Sequence, residues 1–237
     1  MRKILIFTKT VGFRHKSIPH GVAAIRSLGE QHQFQVEATE DAGVFTDDNL
    51  VGYQVVIFLN TTGNVLNPEQ QAAFERFIQK GRGFVGIHSA TDTEYDWPWY
   101  GRLVGTYFKN HPAVQPATLK VVDSTHISTR QLPSDWIRND EWYNFRHDPS
   151  PQVKVLIQID ETTYSGGNMG ESHPISWYHE YDGGRAWYTA MGHTRETYQE
   201  PLFLSHIWGG ICWAMGKEME QRGYGTREAR IILWQSW

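Results

Sequence analysis

One cysteine in 237 residues, Cys212, leaves no partner for an internal disulfide and too few thiolates for a Cys-based zinc site. It stands in Ile207-Trp208-Gly209-Gly210-Ile211-Cys212-Trp213, an apolar helical stretch that predicts a buried, inert thiol. Runs of Lys or Arg are also missing. The 22 basic and 26 acidic residues give a formal charge of −4, they are scattered, and no nucleic-acid motif accompanies them, so nucleic acid is not an expected partner. No apolar run approaches the roughly 20 residues of a transmembrane helix, which argues against a membrane partner. Met1-Arg2-Lys3 is basic, but the apolar run 4–7 is too short for the h-region of a secretory leader, and a cytoplasmic location is the expectation. Neither a Walker-type sequence nor Gly-x-Gly-x-x-Gly follows the first apolar run, which excludes the usual nucleotide cofactors.

Aromatic residues are plentiful: ten Trp, eleven Tyr and eleven Phe. Most such rings fill cores and interfaces, although a flat ring also suits the C–H face of a sugar. The first half of the chain alternates strand and helix signals. Residues 3–7, 34–38, 54–59 and 83–87 are short continuous apolar runs, as expected of strands buried on both faces. Between them, Ser17-Ile18-Pro19 predicts a helix N-cap and early proline, with a stop at Gly29. Asn67-Pro68-Glu69-Gln70 predicts a second helix start with a capping box, ended by Gly81. This rhythm implies an α/β fold with a doubly wound, mostly parallel sheet. Strands are also expected over 119–122 and 153–159, and 174–181 with 185–191 flank Asp182-Gly183-Gly184 as an antiparallel hairpin extending the sheet. A last helix is expected over 201–215. Residues 1–216 read as one domain and 217–237 as a tail that packs on the domain or on a partner subunit; with the exposed aromatics, this favours a homo-oligomer.

Ligands of open α/β sheets bind beyond the carboxyl ends of the strands, so the residues just after strands carry the functional argument. His15 follows the first strand, His88 and Asp92 the fourth, and His193 the last hairpin strand. In the loop-rich half, His111-Pro112, Asp140-Glu141-Trp142-Tyr143 and His173-Pro174 are further candidates. Histidines with carboxylates and no nucleophile suit two chemistries. One is general acid–base catalysis; the other is a divalent metal held by ring nitrogens and carboxylate oxygens, with His15, His88 and His193 as its ligands.

Phe13-Arg14-His15, Gly86-Ile87-His88-Ser89-Ala90-Thr91-Asp92, Phe108-x-x-His111-Pro112, Asp140-Glu141-x-Tyr143, His173-Pro174-x-x-Trp177, Gly184-Arg185-x-Trp187-Tyr188-Thr189-x-x-Gly192-His193 and Gly210-Ile211-x-Trp213-Ala214 together resemble the ThuA-like (trehalose utilisation) family over residues 2–216. The resemblance implies a flavodoxin-like, class I glutamine amidotransferase-like fold, with His88 where amidotransferases carry their nucleophilic cysteine. It further implies a role in disaccharide catabolism beside enzymes that oxidise sugars to 3-keto forms. The expected substrate is a 3-keto disaccharide or glycoside, cleaved, eliminated or isomerised. On that expectation His15, His88, Asp92, Glu141 and His193 are catalytic, and His111, Tyr143, His173, Trp177 and Arg185 bind the sugar. A metal-dependent hydrolase of another small substrate and a non-catalytic sugar-binding module are the alternatives.

Overall fold

The computed structural model describes residues 2–216; the tail 217–237, and its expected packing, lie outside the described residues. The apolar runs of the first half form β1 (Arg2–Phe7), β2 (Phe34–Thr39), β3 (Val55–Leu59) and β4 (Gly83–Ile87), joined by α1 (Ile18–His32), α2 (Asp47–Leu50) and α3 (Pro68–Gln79). Then come α4 (Pro98–Val104), β5 (Phe108–Asn110), β6 (Gln115–Val121), β7 (Asp135–Asp140), β8 (Asn144–Phe145), β9 (Lys154–Ile159), β10 (Pro174–Tyr181), β11 (Gly184–Thr189) and α5 (Pro201–Ala214). One nine-stranded sheet runs β2-β1-β3-β4-β11-β10-β9-β6-β7, and β5 pairs with β8 separately. The first five strands are parallel, and β10, β9, β6 and β7 pair antiparallel in succession.

Every residue of β3 and β4 is buried because helices cover both faces. Phe58 meets Phe74 of α3, whereas its neighbour Leu59 lies against Gly21 of α1, as the alternation of a strand requires. The aromatics are mostly core: Phe58, Phe74, Phe84 and Tyr100 interlock on the α3 side, and Trp142, Trp177 and Trp187 are fully buried.

α3 starts as its sequence dictates, with Asn67 and Gln70 exchanging both bonds of the capping box. α1 departs from expectation at both ends. It continues through Gly29 to His32, and Gln33 ends it in the left-handed conformation. Gly29 is there for packing, since a Cβ would lie 2.8 Å from the Phe34 carbonyl oxygen. Ser17 makes no side-chain cap; its hydroxyl donates to the Gly192 carbonyl at 3.2 Å instead. The antiparallel extension also exceeds a hairpin, because β6, β7 and β9 join it.

Candidate functional site

The carboxyl ends of β1, β3, β4 and β11 lie side by side, with Phe7 opposite Phe58, and Ile87 opposite both Leu59 and Thr189. The loops that leave these ends bring His15, His88 and His193 together. Ring centroids are 4.8 Å apart for His15–His88, 5.1 Å for His15–His193 and 5.2 Å for His88–His193. Glu141, from the loop after β7, completes the group: the four side chains each offer one ligand atom, all within 4.8 Å of one another.

His88 begins a tight turn directly after β4 with φ 50°, in the left-handed region that only a few non-glycine residues enter. Such a turn aims the side chain away from the sheet end, and the cost is borne by contacts that hold it. Tyr188 Oη donates to the His88 carbonyl at 2.8 Å, and the Tyr143 ring lies 4.2 Å from the imidazole. His88 Nδ1 lies 2.6 Å from the Ala190 carbonyl oxygen, a group that only accepts. Nδ1 therefore carries the proton, and Nε2 presents its lone pair to the cluster.

Nε2 of His88 is 3.2 Å from His193 Nδ1 and 3.4 Å from Glu141 Oε2, and His193 Nδ1 is 3.1 Å from the same oxygen. Burial alone would push Glu141 up, but the hydrogen bond from His193 and the electrostatic pull of the adjoining imidazoles outweigh it and hold the carboxyl well below the ordinary range. Burial favours neutral His193, yet the Glu141 bond and charge prevail and raise its pKa. His15 responds the other way. Burial first, then the nearby His88 and His193, lower its pKa to about 2, so it stays a neutral imidazole.

Asp140, next to Glu141 in the chain, organises the group from beneath. Fully buried, it accepts from the backbone N–H of Glu141 at 3.0 Å, Gly192 at 2.9 Å and His193 at 3.1 Å, and from the Thr197 hydroxyl at 3.1 Å. Arg138 faces it at 3.5 Å and pairs with Glu200 at 2.9 Å. Asn60, at the end of β3, ties Ser17 at 3.0 Å and the Gly192 carbonyl at 3.2 Å. Asp140 was a candidate in the sequence only as a neighbour of Glu141, and nothing there marks it or Asn60 for these duties; they emerge only when the end of β7 and the end of β3 are seen to meet the loop after β11.

The rim is polar on one side and aromatic on the other. His111 Nδ1 contacts Glu141 Oε1 at 3.0 Å, and its side chain is 41% exposed. Asp92 is half-buried and accepts from Tyr95 Oη at 2.6 Å. Burial raises its pKa, with the Tyr95 bond opposing. Phe13, 64% exposed, meets His15 edge-on at 4.9 Å.

Three expected sugar-binding residues lie elsewhere. Arg185 pairs with Gly83 at the amino end of β4, the opposite end of the strand from His88. Trp177 is buried, with its Nε1 donating to the Val104 carbonyl at 2.9 Å and its ring on Tyr188. His173 is buried with both nitrogens engaged, by Glu161 at 2.7 Å and the Tyr143 carbonyl at 2.8 Å, so it supports Tyr143 rather than facing a ligand. A separate groove of about 850 Å³ between α1 and α5, lined by His32 and Trp208 among others, includes none of the cluster residues.

Comparison with known proteins gives the chain a family. No curated protein matches the sequence. A ThuA-like protein from Bacteroides uniformis is similar in structure with a TM-score of 0.76 at 23% identity, covering 90% of this chain and 91% of the other. A ThuA-like protein from Parabacteroides merdae gives 0.78 at 21% identity, covering 92% of each chain. The β-galactosidase of Bacillus circulans sp. alkalophilus shares the fold over 91% of this chain and 31% of its own, with a TM-score of 0.59 at 15% identity. The family model described as ThuA, trehalose utilisation, matches residues 3–214, and the chain belongs to that family.

Proposed function

We propose that the protein is a carbohydrate-processing enzyme that cleaves a 3-keto disaccharide or glycoside at the His15–His88–Glu141–His193 cluster. The observation that carries the reading is the convergence of these four side chains at the carboxyl ends of the parallel strands. Membership of a family described by trehalose utilisation supports the substrate class. The turn that presents His88 supports kinship with the class I amidotransferase elbow, occupied here by an imidazole in place of a thiol.

A ketone at C3 acidifies the hydrogen on C2. A base that removes it leaves an enolate, and expulsion of the glycosidic oxygen from C1 forms the C1=C2 double bond; water added across that bond completes hydrolysis. The inner cluster supplies the electrophile for the C3 oxygen, where charge develops. Two rim groups move protons. Asp92, lifted by burial, is suited to take the C2 proton, and His111, whose Nδ1 is held by Glu141, presents Nε2 to the departing oxygen. Phe13 offers an apolar face to the sugar ring beside His15.

The test is a panel of trehalose and simple glucosides, each offered before and after oxidation at C3, with release of the free sugar or aglycone measured. Turnover restricted to the oxidised members is the expected result. Saturable binding with no turnover of any member refutes the proposal in favour of a binding module.

A further inference from the structure

We infer that His15, His88, His193 and Glu141 bind one divalent first-row transition ion of the zinc class, and that this ion is the electrophile of the cluster. The inference rests on the proposed function only for the ion's role; the site itself stands on geometry. A tetrahedral zinc site with bonds of about 2.0–2.1 Å has edges of roughly 3.3–3.4 Å between ligand atoms. Here His88 Nε2, His193 Nδ1 and Glu141 Oε2 are separated by 3.2, 3.1 and 3.4 Å. Three ligands thus already form one face of such a tetrahedron. His15 is the fourth, with all four ligand atoms inside 4.8 Å of one another.

Proton counting points the same way. The proton of His88 is committed to Ala190, so Nε2 offers only a lone pair. Glu141 offers lone pairs alone, and the single proton on His193 Nδ1 has two acceptors, at 3.1 and 3.2 Å. The cluster therefore holds more acceptors than protons, a deficit that a cation fills.

The surroundings are those of a metal centre. A ligating histidine commonly donates its other N–H to a backbone carbonyl, as His88 does, and ligating carboxylates are held by further bonds, as His111 holds Glu141. Ser89 Oγ lies 3.4 Å from His15 Nδ1. Three imidazoles and one carboxylate select zinc, manganese, iron, cobalt or nickel over magnesium and calcium, which prefer oxygen. The exposed edge of His193 leaves a side on which a fifth ligand, the ketone oxygen, can approach.

The experiment is elemental analysis of the purified full chain, followed by chelator stripping and calorimetric titration with Zn²⁺, Mn²⁺, Co²⁺ and Mg²⁺ separately. The expected result is one equivalent of a transition ion per chain and no comparable binding of Mg²⁺. His88→Asn and Glu141→Gln should each weaken binding by more than the roughly 10–100-fold typical of losing an outer-shell partner. Co²⁺ loading reads the same site by its visible absorption, independent of activity. Absence of stoichiometric binding by the wild-type chain, or binding unchanged in His88→Asn, overturns the inference. A stripped chain that cleaves oxidised glucosides at full rate overturns the ion's role and leaves the proposed function standing. A loaded chain inert toward every oxidised glucoside keeps the site and overturns the function.

Discussion

Replacing Asp140 by Asn changes one atom and should damage both the fold and the site. The carboxylate accepts on Oδ1 from the N–H of Glu141 and His193, and on Oδ2 from the N–H of Gly192 and the Thr197 hydroxyl, with Arg138 facing Oδ2. An amide keeps one acceptor oxygen. With the NH₂ at the first position, two buried backbone donors face a donor; at the second, Gly192 loses its acceptor and Arg138 its counter-charge. An orphaned buried donor costs about 1–3 kcal/mol, and breaking a buried ion pair by removing one partner about 3–5 kcal/mol. Asp140 and Arg138 side chains are 0% and 2% exposed, so solvent does not screen the loss, and we expect about 3–5 kcal/mol in all. Urea unfolding extrapolated to water measures it, and the melting temperature should fall by roughly 6–20 °C. Turnover of an oxidised glucoside should fall further than stability alone explains, because Glu141 and His193 both hang from this residue. A change below about 1 kcal/mol would refute the role assigned to Asp140.

Other expectations follow from particular contacts. Gly192 has φ 117° and a Cβ there would lie 2.7 Å from Tyr198 Oη, so Gly192→Ala should cost about 1–3 kcal/mol and displace His193, measurable by melting and by Co²⁺ absorption. Phe74→Ala should cost about 3–5 kcal/mol in urea unfolding, since its ring packs on Phe45, Phe58 and Phe84. Burial lowers the pKa of fully buried His206 to about 3, against about 6.5 when unfolded. Between those values the unfolded chain binds the extra proton, so stability falls with acidification, by roughly 2–3 kcal/mol from pH 6.5 to 4.5; His206→Gln should flatten that slope, and parallel slopes would count against it. Asp92→Asn should lower kcat by about 10²–10⁴-fold with the melting temperature nearly unchanged.

Much of the parallel half was legible because strands buried on both faces leave continuous apolar runs, and the helix between β3 and β4 carries its capping box in the sequence. β7 was not legible, for a physical reason. Its inward positions are Trp136, Arg138 and Asp140, while Ile137 points out at 73% exposure, so alternation of apolar and polar residues runs against the usual sense. His15, His88 and His193 could be placed together because each follows a strand whose end is visible in the sequence. A resemblance does not separate the start of a strand from its end, which is why Arg185 was grouped with the sugar-binding residues although it opens β11. Nor does it separate a ring facing a ligand from one facing the core, as with Trp177 and His173. Glu141 came within reach through the Asp140-Glu141 pair, but what holds it there depends on β7 meeting the loop after β11.

The central claim is that the histidine–glutamate cluster is the reacting centre. Its most direct test is the kcat/KM of His88→Asn on 3-oxidised trehalose, Asn being a residue that tolerates the left-handed backbone His88 occupies. The expected result is a loss of at least about 100-fold with circular dichroism unchanged and melting close to the wild type. A folded His88→Asn chain that turns over the oxidised disaccharide at the wild-type rate would contradict it.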